Sequence, residues 1–160
     1  MARHVPNEMA YQEVTMAIDM GDCYNCDQRK FSEAMHFVGV DIIEIDRIEN
    51  AATRWGDRFL KRIYTQKELD LCKSLAPALA ARFAAKEAVM KALGTGIKGV
   101  RWRDIETLSN EDGKPVVHLH GGARKTAKRL RLTEIQVSLS HSREYAIASA
   151  LGSTPSAHDR

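Results

Sequence analysis

One run of residues constrains this chain more than any other. Arg82-Phe83-Ala84-Ala85-Lys86-Glu87-Ala88-Val89-Met90-Lys91-Ala92-Leu93 is followed by Gly94-Thr95-Gly96. Ala, Leu, Met, Lys and Glu are strong helix formers, and a glycine stands where a helix commonly stops. Pro77 suits a first helical position, so the run predicts a helix from Pro77 to Leu93. Glu87 and Lys91 are four residues apart and share a face, with Lys86 about a quarter-turn away. A carboxylate and an ammonium beside a glycine loop suit a metal-bound phosphate ester. The carboxylate holds a hard cation and the ammonium neutralises phosphate oxygens. The same spacing also describes an ordinary solvated helix pair.

A second stretch adds a partner. Phe37-Val38-Gly39-Val40-Asp41-Ile42-Ile43-Glu44-Ile45-Asp46-Arg47-Ile48 begins as an apolar strand, and Asp41 is the first carboxylate in it. Flanked by Val40 and Ile42, Asp41 lies in a segment that favours burial. A buried charge needs a partner or a metal. Two carboxylates together with substrate phosphates are the usual way a protein holds Mg²⁺.

The rest of the chain reads as mixed strands and helices without regular alternation, which argues an α+β class. A strand is expected over about 37–43. A helix then starts near Asp46, a candidate cap, and ends by Ala52 or Arg54. Gly56 breaks the pattern, and a short helix covers Arg58 to Ile63. Thr65-Gln66-Lys67-Glu68 is a capping box opening another helix, to about Lys73. Strands follow at 104–109 and 115–120, turning at Asp112-Gly113. A basic helix covers about 123–131, and strands cover 134–140 and 144–151. His118 and His120 alternate along a strand and are expected to face outward.

The net charge of +3 is unevenly spread: residues 1–36 carry three basic and six acidic side chains, leaving 21 basic and 15 acidic for the remainder. The basic part favours anionic partners, whether nucleotide, nucleic acid or acidic protein. Residues 1–36 lack an apolar period and are expected to be disordered or to precede a start at Met35. The segment 153–160 is expected to be a disordered tail. No apolar run reaches membrane-spanning length, and the first residues lack the pattern of a secretory signal, so the expectation is a cytoplasmic protein without a membrane partner. Cys23, Cys26 and Cys72 make no disulfide framework; the first two have zinc-knuckle spacing, but no second ligand pair follows.

Taken together, these motifs resemble the holo-acyl-carrier-protein synthases, the short phosphopantetheinyl transferases. The resemblance rests on Val38-Gly39-Val40-Asp41-Ile42 with Arg47-Ile48, then Arg82-Phe83-Ala84-Ala85-Lys86-Glu87-Ala88, Lys91-Ala92 and Gly94-Thr95-Gly96. It continues through Asp104-Ile105-Glu106, Gly113-Lys114-Pro115 and Val137-Ser138-Leu139-Ser140-His141-Ser142 to Glu144-Tyr145-Ala146, covering 37 to about 151. It implies one compact α+β domain over 37–152, with an antiparallel sheet and one long helix. The implied reaction moves the 4′-phosphopantetheine of coenzyme A to a serine of apo acyl carrier protein, in fatty acid biosynthesis. Such phosphoryl chemistry depends on positioning and charge neutralisation.

The resemblance carries roles onto matching positions. Asp41 and Glu87 become Mg²⁺ ligands, and Lys91 contacts the phosphates. The proton acceptor is Lys91, Glu87 or a water on the cation. Arg82, Gly94, Pro115 and His141 belong to the coenzyme A site. Arg47, Arg54 and Arg58 dock the acidic carrier protein. A homotrimer is implied, with each site between two subunits. Two other readings stay open: a catalytically silent coenzyme A or carrier-protein module, and a basic nucleic-acid-binding domain. The second draws on Arg124, Lys125, Lys128, Arg129 and Arg131. No aromatic residue interleaves with those cations, which counts against nucleic acid.

Overall fold

In the computed structural model, residues 34–96 and 99–156 are described. The expectations for residues 1–33, including Cys23 and Cys26, and for the last four residues lie outside them. The element order is β1 (His36–Glu44), α1 (Ile45–Ile63), α2 (Gln66–Cys72), α3 (Ala76–Ala92), a 3₁₀ turn (Trp102–Asp104), β2 (Ile105–Ser109), β3 (Pro115–Leu119), α4 (Gly121–Arg129), β4 (Glu134–His141) and β5 (Tyr145–Ser153). The class is α+β, as the mixed order implied. The strands form two antiparallel sheets, one ordered β1-β5-β4 and a hairpin of β2 and β3.

Helix α3 is the core. Leu79, Ala80, Ala84, Ala85, Ala88, Val89 and Met90 are all buried, so the helix is covered nearly all round. Its many alanines keep it thin, and the sheet facing it is equally lean. Period-two alternation turns Ala146, Ala148 and Ala150 of β5 inward, beside Gly39, Asp41 and Ile43 of β1. At Gly39 the two elements touch backbone to backbone: a Cβ there would stand 2.0 Å from the Ala88 carbonyl oxygen. Only glycine admits that approach. The opposite face of the same sheet exposes Val38, Val40, Ile42, Ile147 and Leu151.

The break expected at Gly56 is present: its φ of 51° and ψ of −137° interrupt α1, leaving one helical segment on each side. Asp46 is not the cap. The N-cap is Glu44, with no side-chain hydrogen bond, and Asp46 lies in the first turn, where its charge suits the helix dipole. The capping box at Thr65 forms in full: Glu68 N–H donates to Thr65 Oγ1 and Thr65 N–H donates to Glu68 Oε2. Thr154 N–H donates to the Met35 carbonyl at 3.0 Å, tying the chain after β5 to the residue before β1.

Candidate active site

The contact at Gly39 sets the site. Asp41 is two residues further along β1, on the same inward face, and lies against the α3 surface that carries Glu87 and Lys91. Lys91 Nζ donates to Asp41 Oδ1 and to the Val40 carbonyl, both at 2.9 Å. The Lys91 side chain is 42% exposed and that of Asp41 15%, so the pair reaches the surface rather than lying inside the core. Glu87 is half-buried beside them. Burial pushes the Glu87 carboxyl up, the negative charge of Asp41 pushes it the same way, and Lys91 partly opposes both. Residues far apart in sequence, Asp41, Glu87 and Lys91, therefore form one coupled electrostatic cluster.

The donor set fits a hard cation. The negative charge of Asp41 raises the proton affinity of Glu87, which a cation would relieve, and oxygen is the ligand Mg²⁺ prefers. Among the described residues no group of three or more His, Cys, Asp or Glu converges. Two protein carboxylates leave coordination positions for water and phosphate, the arrangement typical of Mg²⁺ in phosphoryl chemistry.

Lys86 is the neighbour of Glu87 but belongs elsewhere. Its side chain is fully buried, and its Nζ donates to Glu68 Oε2 at 2.8 Å, to the Trp102 carbonyl at 3.1 Å and to the Ile105 carbonyl. Glu68 also accepts from Thr107 N–H at 2.9 Å. This buried pair ties α2, α3 and β2 together. Pattern reading missed it, because nothing in the sequence marks Glu68 as more than a capping-box residue.

The residues expected at the nucleotide separate from that cluster. Arg82, Gly113, Pro115, Ser140 and His141 line a cavity of about 220 Å³. Arg82 Nε is buried there without a hydrogen-bond partner among the described residues. Arg82 precedes Glu87 by five positions, about 140° around the helix. The chain therefore presents the carboxylates and this cavity on different faces of α3. Gly94, with φ of 65°, ends the helix beyond Lys91 and is exposed. The turn joining β2 and β3 is held by Asn110, whose carbonyl accepts from Gly113 N–H and whose Oδ1 accepts from Asp112 and Lys114 N–H. His118 faces outward as expected. His120 is exposed too, but its Nε2 lies 3.3 Å from Glu106 Oε2.

Arg47, Arg54 and Arg58 are all exposed along α1. The Arg54 guanidinium sits 4.9 Å from the centre of the Trp55 ring. Arg58 follows the Gly56 break, so the three do not form a stripe on one straight helix. The cations of α4 are exposed around a thin buried side made of Ala123 and Ala127.

This combination of fold and cluster places the chain among known proteins. The sequence pattern of the 4′-phosphopantetheinyl transferase superfamily matches residues 37–150, and the chain belongs to that family of enzymes. Its relatives are more particular. A holo-[acyl-carrier-protein] synthase of Dehalococcoides mccartyi is 57% identical over 114 residues, covering 71% of this chain and 95% of the relative. The synthase of Herpetosiphon aurantiacus is 49% identical over 125 residues, covering 74% and 98%. Among solved structures, the Helicobacter pylori synthase in complex with coenzyme A superposes with a TM-score of 0.67 at 32% identity, over 72% of this chain and 98% of that one. The Bacillus anthracis synthase in complex with coenzyme A (3′,5′-ADP) gives 0.61 at 35% identity, over 74% and 96%.

Proposed function

We propose that this protein transfers the 4′-phosphopantetheine group of coenzyme A to a serine hydroxyl of apo acyl carrier protein, releasing adenosine 3′,5′-bisphosphate. The setting is fatty acid biosynthesis in the cytoplasm. The observation that carries the reading is the Asp41–Glu87–Lys91 cluster, held where β1 and α3 meet backbone to backbone. The enzymes it resembles act on this pair of substrates.

Asp41 and Glu87 would hold Mg²⁺, which would supply charge neutralisation for the diphosphate oxygens. Lys91 neutralises Asp41 in the absence of substrate. Once the carboxylate is otherwise engaged, the Lys91 ammonium turns to the phosphate. The serine proton passes to a base in the same cluster: the Glu87 carboxylate, a water that the cation would hold, or Lys91 once it has given up its own proton and is a neutral amine. Arg82, whose Nε has no partner among the described residues, and His141 take the nucleotide end, with Pro115 lining the pocket and Gly94 giving the loop its turn.

The carboxylates and the nucleotide cavity lie on different faces of α3, which favours a site completed by a neighbouring subunit. The exposed apolar face of the β1-β5-β4 sheet supplies a surface for such assembly, and a homotrimer is the form proposed. Arg47, Arg54 and Arg58 dock the acidic carrier protein, an attraction that salt weakens.

The test mixes the protein with coenzyme A, Mg²⁺ and an apo carrier protein and weighs the carrier. Gain of one phosphopantetheine unit supports the transferase. Binding of both substrates without mass gain would make the protein a silent module. Asp41→Ala and Glu87→Ala each abolish the gain; full activity in either would remove the metal assignment.

A further inference from the structure

A second cation-lined hollow lies away from the carboxylates, on the side of α3 that Lys86 faces. It is a cleft of about 380 Å³. Arg62 enters from the last turn of α1, Arg101 and Arg103 from the 3₁₀ turn, and His120 from the residue before α4. The Trp102 carbonyl bonded by Lys86 lies between the two arginines of the turn.

The carboxylates near the cleft are spent. Asp104 Oδ1 accepts from Arg101 Nε and Nη2 at 3.3 and 3.2 Å, and its Oδ2 accepts from the N–H groups of Arg101 and Gly122 at 3.2 and 2.9 Å. Glu106 Oε1 accepts from Thr65 Oγ1 at 2.7 Å, and its Oε2 faces His120 Nε2. Each carboxylate oxygen thus has an internal donor. At the start of α4, Gly122 N–H is likewise taken, by Asp104.

Two of the guanidiniums are unspent, and the third is spent in part. Among the described residues, Arg62 and Arg103 form no ion pair and no side-chain hydrogen bond, and Arg101 keeps its Nη1 free. Asp104, which lines the same cleft, balances Arg101, so Arg62 and Arg103, from two separate elements, are the charges left uncompensated there. A planar guanidinium fork matches the oxygens of phosphate, and two forks from different directions can grip one group.

We propose that the Arg62–Arg101–Arg103 cleft is a second anion site, binding a phosphate or diphosphate group. Its volume admits a small phosphorylated ligand as well as the bare anion. The site differs from the transfer site in one decisive way. Asp41 and Glu87 repel phosphate unless a divalent cation is present, whereas the arginine cleft needs none. The inference therefore stands or falls separately from the transferase reading.

The experiment titrates the full chain with inorganic pyrophosphate in EDTA and follows backbone amide resonances. Saturable shifts at residues 101–105 and at Gly121 and Gly122 are expected, weakening as salt rises. Arg62→Gln/Arg103→Gln should lower the affinity about tenfold or more, the scale of lost charge-assisted hydrogen bonds. Both side chains are exposed, so circular dichroism should be unchanged, and Asp41→Asn should bind as the parent does. A parallel titration with adenosine 3′,5′-bisphosphate identifies the source: tighter binding points to a nucleotide, equal binding to free diphosphate. No saturation, undiminished affinity in the double variant, or shifts confined to the cavity of Arg82 and His141 would each overturn the proposal.

Discussion

Lys86 and Glu87 are adjacent, yet they face two different regions of the molecule. Lys86 points to the side where α2 and β2 close over it, and every donor on its ammonium meets an acceptor. Glu87 points to the side where β1 crosses, and its carboxyl sits half-buried against a like charge. The Lys86 pair is closed and satisfied; the Glu87 cluster is open and electrostatically frustrated. A satisfied buried pair fixes structure, while a frustrated cluster at the surface waits for a ligand. The charge types alone do not separate the two. Burial and the count of available partners do.

The largest expected effect falls on the closed side. Lys86→Met strands Glu68 as an uncompensated buried charge and should cost about 3–5 kcal/mol of folding stability by denaturant titration. Adding Glu68→Gln should recover part of the loss, because a neutral acceptor remains for Thr65 or Thr107 N–H. A stable, fully cooperative Lys86→Met protein would break the contrast. On the open side, Glu87→Gln should leave the melting temperature unchanged or raised, since it removes repulsion with Asp41. The transfer rate should fall roughly 10²–10³-fold, the scale of losing one charge-stabilising group. Gly39→Ala tests the hinge between the regions. Its Cβ would drive β1 off the Ala88 carbonyl, costing about 1–3 kcal/mol and carrying Asp41 away from Glu87, so activity should fall more than stability explains.

How much of this was legible follows from where each signal lies. Local signals worked: Pro77 and Gly94 bracket α3, Gly56 marks the break in α1, and Thr65 with Glu68 opens α2. Asp46 failed as a cap because the chain enters α1 directly from β1, so the turn begins two residues earlier at Glu44. The site was legible in its parts, since alternation along β1 already puts Asp41 on the face of Gly39. Pairings across the fold were not. Nothing local links Glu68 to Lys86, or Lys91 to Asp41 across fifty residues. Those depend on which helix face each strand covers, and that is settled only by packing.

The smallest expected effect, the slope of stability with pH, separates the two regions by sign. Glu87 is raised, so in metal-free protein its contribution is complete below the ordinary glutamate range and is lost as pH climbs through the raised value. Burial pushes Glu106 up as well, but the hydrogen bonds from Thr65 and His120 and the charges of Lys67 and His120 outweigh it and hold Glu106 low. Its contribution is therefore complete above the ordinary range and is lost as pH falls through the lowered value. Melting curves in EDTA should show both limbs. Glu87→Gln should remove the decline on the alkaline side of the glutamate range, and Glu106→Gln should flatten the decline on the acid side. Mg²⁺ should restore stability only on the alkaline limb, because a carboxylate must lose its proton before it can hold a cation. If Glu87→Gln left that limb unchanged, its carboxyl would not be the strained group of the cluster, and Lys91 would have to carry the electrostatic argument without it.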